Sequence, residues 1–78
     1  MKVYITKYAL TEGITEHVAE LCSDTMIRVA GSKYPIYYHK PDWHRRLADA
    51  VARAEDMRVK KIAALQQQLA KLEAITFA

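Results

Sequence analysis

The sequence predicts an α+β fold: a small antiparallel sheet of three to four strands followed by one long C-terminal amphipathic helix. Three observations predict it. Up to Pro41, short runs of β-branched and aromatic residues alternate with turn-forming clusters. After Pro41 neither glycine nor proline occurs, and Ala, Leu, Gln, Glu, Lys and Arg dominate, all good helix formers. The 78 residues make one domain, 1–41 β-rich and 42–78 helical.

Lys2 to Tyr8 sets Val3 and Ile5 on one face and Tyr4, Thr6 and Tyr8 on the other, as a strand requires. Thr11-Glu12-Gly13 supplies a turn. Ile14 to Leu21 reads as a strand between turn signals; a helix with Ile14, Val18 and Leu21 on one face is the alternative. Cys22-Ser23-Asp24 turns again, Met26 to Val29 is a short strand, and Ala30-Gly31-Ser32 is the third turn. Tyr34 to His39 is the fourth strand, with Pro35 marking an edge or a strand start because proline gives nothing to a ladder. His39-Lys40-Pro41-Asp42 is a joint. The helix starts at Trp43 under an Asp42 cap, or near Arg46 if Trp43 finishes the sheet, and ends near Ala74. Its proximal part, Leu47 to Met57, is expected across one face of the sheet. Val3, Ile5, Ile27, Val29, Leu47, Val51 and Ala54 should then fill much of the core.

A helix of this length is roughly 45 Å long at 1.5 Å per residue, whereas a six-residue strand spans about 20 Å. The distal stripe of Ile62, Leu65, Leu69 and Leu72, spaced three, four, three, therefore lacks cover within its own chain. This is an a/d seam, and a homodimer through these four residues is expected. A domain this small usually needs a staple. The single cysteine, Cys22, rules out an intramolecular disulfide and leaves association as the natural one.

The formal charge of +3 is mild and spread over both halves, so nucleic acid is not expected as a specific ligand. Tyr34, Tyr37, Tyr38 and Trp43 cluster beside Lys33, Lys40, Arg45 and Arg46. Such a set fills a β core, forms a protein interface or stacks bases. Arg58 and Lys61 fall on the apolar face of the helix. Their heads either meet acidic groups of the sheet or a second subunit, or, with Lys60, touch a partner. The partner-binding candidates are Tyr38, Trp43, Arg45, Arg58 and Lys61, because Trp, Tyr and Arg supply most interface hot spots. His39 and His44 do not have zinc-site spacing, and Cys22 with His17 lacks an orienting third group. No catalytic residue, metal ligand or cofactor is assigned, and an enzyme is not expected. No stretch approaches the roughly 18 apolar residues of a spanning helix, and the N-terminal run lacks the apolar core of a signal peptide. A cytoplasmic location without a membrane partner is the expectation.

The stretch Lys2-Val3-Tyr4-Ile5-Thr6-Lys7-Tyr8-Ala9-Leu10-Thr11-Glu12-Gly13-Ile14 resembles a group of small proteins encoded by tailed phages and prophages. The resemblance resumes at Asp42-Trp43-His44-Arg45, runs through Ala50-Val51-Ala52-Arg53-Ala54-Glu55-Asp56-Met57-Arg58, and ends in Lys61-Ile62-Ala63-Ala64-Leu65. Members commonly carry a threonine helix cap where Arg46 stands. The family transfers no activity. What the resemblance implies is a setting in which small accessory proteins bind one host protein stoichiometrically, as anti-CRISPR proteins and other defence inhibitors do. A nucleic-acid-binding or recombination accessory protein and a phage structural or assembly component are the alternatives.

Overall fold

The computed structural model describes residues 1–31 and 33–77. It is α+β, with strands β1 (Lys2–Ile5), β2 (Thr15–Leu21), β3 (Met26–Val29), β4 (Ile36–His39) and β5 (Trp43–His44). A short helix, α1 (Ala9–Glu12), links β1 to β2, and α2 (Leu47–Glu73) ends the fold. All strand pairs are antiparallel, in the order β4-β3-β2-β1-β5. The sheet thus has five strands rather than three or four; the extra one is the two-residue β5.

The order forces the sheet to roll up. β4 and β5 are its two edges, yet His39 is only four Cα steps from Trp43. Four steps span at most about 15 Å, whereas five flat strands would hold the edges about 19 Å apart. The joint bonds to both sides: the Lys40 amide donates to the Thr25 carbonyl at 2.8 Å, and the Thr6 amide to the Asp42 carbonyl at 2.8 Å. The Trp43 indole N–H reaches the same Thr25 carbonyl at 2.9 Å, tying β5 to the entrance of β3.

Alternation decides what the roll encloses. Ile5 pairs with Trp43, Ala19 with Val29 and Ile27 with Tyr38, so these side chains share the inner face. Val3, Ile5, Ala19, Ile27, Val29 and Trp43 form the core, with Tyr38 packed against it. Burying each large aliphatic side chain is worth roughly 1.5–3 kcal/mol. Lys2, Glu16, Glu20 and Arg28 face outward, joined as Lys2–Glu16 and Arg28–Glu20 ion pairs.

Two turns depend on glycine. Gly13 has a φ of 78°, a region that side chains disfavour. A Cβ on Gly31 would lie 2.0 Å from the Tyr34 carbonyl oxygen, so only glycine allows the chain to double back into β4. The predicted turn there ends at Ser32, which lies outside the described residues. Pro35 precedes β4 and takes the strand-start role that the sequence allows. Ile14 stays outside β2. Thr11 and Glu12, read as part of a turn with Gly13, lie instead in the one-turn helix α1, with the Glu12 amide bonded to the Tyr8 carbonyl at 2.8 Å.

α2 starts one residue after Arg46, which occupies the cap position without a side-chain cap bond and pairs with Asp49 at 3.1 Å. The helix packs on β5, β1 and α1 rather than across a sheet face. This corrects the expected core. Ala50 is fully buried and Arg53, Ala54 and Met57 are half-buried, whereas Leu47 and Val51 are exposed. From Arg58 onward every described residue of the helix is exposed. The molecule is consequently long, 58 × 29 × 21 Å, with a radius of gyration of 17.0 Å. A compact chain of this length would have about 11.5 Å.

Candidate protein-binding surfaces

The helix presents two different faces. At 100° per residue, the docked set of Ala50, Arg53, Ala54 and Met57 is centred about 90° away from the stripe of Leu47, Val51, Ile62, Leu65, Leu69 and Leu72. The rolled sheet, an open barrel whose edge strands β4 and β5 do not pair with each other, takes the face rich in alanine because small side chains let the helix backbone come close. The larger side chains are left in solvent. Ile62, Leu65, Leu69 and Leu72 are 49–66% exposed, and Leu47 and Val51 are 52% and 44% exposed. The seam predicted for the distal half is thus joined on the same side of α2 by a second exposed pair, Leu47 and Val51.

Arg58 interrupts this seam. Its guanidinium pairs with Glu55, three residues back on the same helix, and Lys60 pairs with Asp56 at 2.9 Å. The acidic partner expected from the sheet is thus supplied by the helix itself. Arg58 carries its head to the flank where Glu55 lies and leaves its stem over the seam. Lys61 is exposed at the other flank.

The other partner-binding candidates do not assemble into one surface. Arg45 is exposed just before the helix. Tyr38 is half-buried and packs on the core. Trp43 is 1% exposed, so its ring is core and not a contact surface. Pairing with Ile5 turns it inward, and Lys40 covers it with Nζ 4.7 Å from the ring centroid.

A shallow cleft of about 510 Å³, not apparent from the sequence, lies on the outer side of β2 and β3. Val18, Glu20, Arg28, Lys33, Tyr34 and Pro35 line it, and Glu20 pairs with Arg28. Val18 and Tyr34 are 79% and 78% exposed. The available signal was Val18: Ala19 points inward, so a valine beside it must stand in solvent.

The joint also holds a buried polar group. The Thr6 hydroxyl donates to the Pro41 carbonyl at 3.3 Å and lies 3.2 Å from His44 Nε2. Burial pushes the His44 pKa below its ordinary 6.5; Lys40 and Arg53 push the same way, and Asp49 and the Pro41 carbonyl oppose them. Protonation therefore favours the unfolded chain. His44's contribution is complete above about pH 6.5 and declines as pH falls through the window below that value. A lower melting temperature at pH 5.5 than at pH 7.5 is expected. His44→Gln should flatten that difference, and an equally steep profile in that variant would assign the pH dependence to other groups.

Among the described residues no group of three His, Cys, Asp or Glu side chains gathers to hold a metal, and no helix is long and apolar enough to cross a membrane. Comparison with protein-family models, with curated proteins and with solved structures gives no match for this chain.

Proposed function

We propose that the protein acts by stoichiometric binding to another protein, with no chemistry of its own. The observation that carries this reading is the apolar seam from Leu47 to Leu72, exposed along a helix that its own barrel engages by another face. An apolar stripe of this extent on a water-exposed helix is a binding surface by the usual cost of exposed hydrocarbon. The resemblance to tailed-phage accessory proteins supports a bacterial cytoplasm as the setting. It also supports a host protein as the target, with a defence component such as a CRISPR-Cas effector first in order.

The nucleic-acid alternative draws on Tyr37 beside Arg28 on the outer face, but Glu20 already engages Arg28. A net charge of +3 allows few phosphate contacts, so any such binding should be weak and fall steeply with salt.

The test is affinity capture from nuclease-treated host lysate, followed by reconstitution with the purified target. One protein in a fixed ratio to the bait is the expected result. Arg45→Glu should weaken that complex at least tenfold without changing the melt, because its head lies in solvent and outside the seam. Capture that vanishes with nuclease treatment would move the reading to nucleic acid, and capture of neither would refute it.

A further inference from the structure

We propose that the seam of α2 is occupied by a second copy of this chain, in a parallel two-stranded coiled coil that runs from Leu47 to Leu72. This rests on the reading of the helix as a binding element and names its occupant, which leaves a host target the surfaces outside the seam, such as exposed Arg45.

Surface area favours a large and permanent cover. The chain exposes 6154 Å², whereas a compact monomer of 8.9 kDa exposes roughly 4,800 Å². The excess, roughly 1,300 Å², exceeds the 800 Å² or so that each partner contributes to an interface of standard size. One copy of the same helix, equally long and equally bare, matches the seam end to end.

The residue pattern selects two strands. Leu47, Val51, Ala54 and Arg58 are spaced four, three, four; Ile62, Leu65, Leu69 and Leu72 are spaced three, four, three. The step of four from Arg58 to Ile62 is a single stutter, which locally unwinds a supercoil without ending the seam. Around it a is Val51, Arg58, Ile62 and Leu69 and d is Leu47, Ala54, Leu65 and Leu72, so two of the four a layers are β-branched and three of the four d layers are leucine. Such a division favours two-stranded parallel coils. Arg58, the one charged residue at an a layer, fixes the register, its head drawn aside by Glu55.

The flanks select the direction. One side of the seam carries Glu55, Gln66 and Glu73, and the other Lys61 and Gln68. Parallel helices set unlike flanks against each other, placing Lys61 opposite Gln66 and Gln68 opposite Glu73 of the second copy. Antiparallel helices would set the acidic flank against itself. The barrel docks about a quarter turn from the centre of the seam and reaches it only at Ala54, which is half-buried. Two such barrels would sit at the same end of the coil, on opposite sides of it.

Light scattering on the whole protein at tens of micromolar, a generous range for an interface of ordinary affinity, should return twice 8.9 kDa. Leu65→Glu with Leu69→Glu should give monomers with an intact barrel. Leu47→Glu with Val51→Glu should raise the dissociation constant at least tenfold, which separates a full-length seam from a distal one. Direction is read in a Cys22→Ser, Leu72→Cys protein, whose single thiol should form an interchain disulfide within the dimer under mild oxidation. A monomeric or trimeric wild type, or a Leu65/Leu69 variant that stays dimeric, would overturn the proposal. A dimer that does not crosslink through position 72 would overturn the parallel arrangement. These results stand apart from the target reading: a monomer that still captures one host protein sinks the dimer alone. A dimer that captures nothing sinks the target alone.

Discussion

Replacing Trp43 with alanine is expected to unfold the barrel. The ring is 1% exposed, and its indole N–H is bonded to the Thr25 carbonyl, so one side chain both fills the core and holds β5 against the entrance of β3. Truncating a buried aromatic costs about 3–5 kcal/mol. Small domains have total stabilities in the lower part of the 5–15 kcal/mol range, so about that much is most of what is available. The measurement is amide dispersion in a proton–nitrogen correlation spectrum, because helical circular dichroism from α2 can outlast the barrel. Collapse of the strand signals is the expected result. Trp43→Phe keeps the ring and loses the N–H bond, and should stay folded with a melt lower by a few degrees. A fully dispersed Trp43→Ala spectrum would mean that β5 does not close the sheet.

The second large effect is a contrast between neighbours. Ala50→Asp should detach the helix from β5, β1 and α1, because Ala50 is fully buried and a carboxylate there would have neither room nor water. Val51→Asp should leave the barrel and its docked helix in place, since Val51 is 44% exposed and faces the seam. Hydrogen exchange across Leu47 to Met57 distinguishes them: rapid exchange in the first variant, near wild-type protection in the second. Equal loss of protection in both would mean that the barrel grips the seam face after all.

Much of this contrast could not be read from the sequence. Apolar periodicity reports where large aliphatic side chains recur, and it made Leu47 and Val51 the natural core positions. The barrel instead chose the face where Ala50 and Ala54 allow close approach, a preference of shape that hydrophobicity scales barely register. The strands were legible because Val3-Tyr4-Ile5 and Met26-Ile27-Arg28-Val29 combine β-branched residues with clean alternation, and β2 because turns bracket it. The long helix was legible from the lack of any breaker after Pro41. The position of Trp43 was not. An aromatic among cations has the composition of an interface, and only its pairing with Ile5 across the sheet turns it inward. The cleft beside Val18 was hidden for the converse reason, since a valine in a strand is ordinarily assigned to the interior.

The two-residue edge strand β5 also bears on the order of assembly. The pairings β1–β2, β2–β3 and β3–β4 join neighbours along the chain, so each forms as a local hairpin within microseconds. β5 must find β1 across nearly forty residues, at Tyr4 with His44 and Ile5 with Trp43. Long-range pairing of that kind is the slow element in small β proteins, because the entropy of closing the loop is lost before any contact is gained. α2 begins at Leu47, three residues beyond β5, and docks partly on β5 itself. Pairing of β5 with β1 and docking of the helix are therefore expected to be coupled, and the fluorescence of the single tryptophan reports that step. Until that step Val3, Ile5 and Ile27 remain open to water, and the interval before it is when this chain is most exposed to proteases and to aggregation.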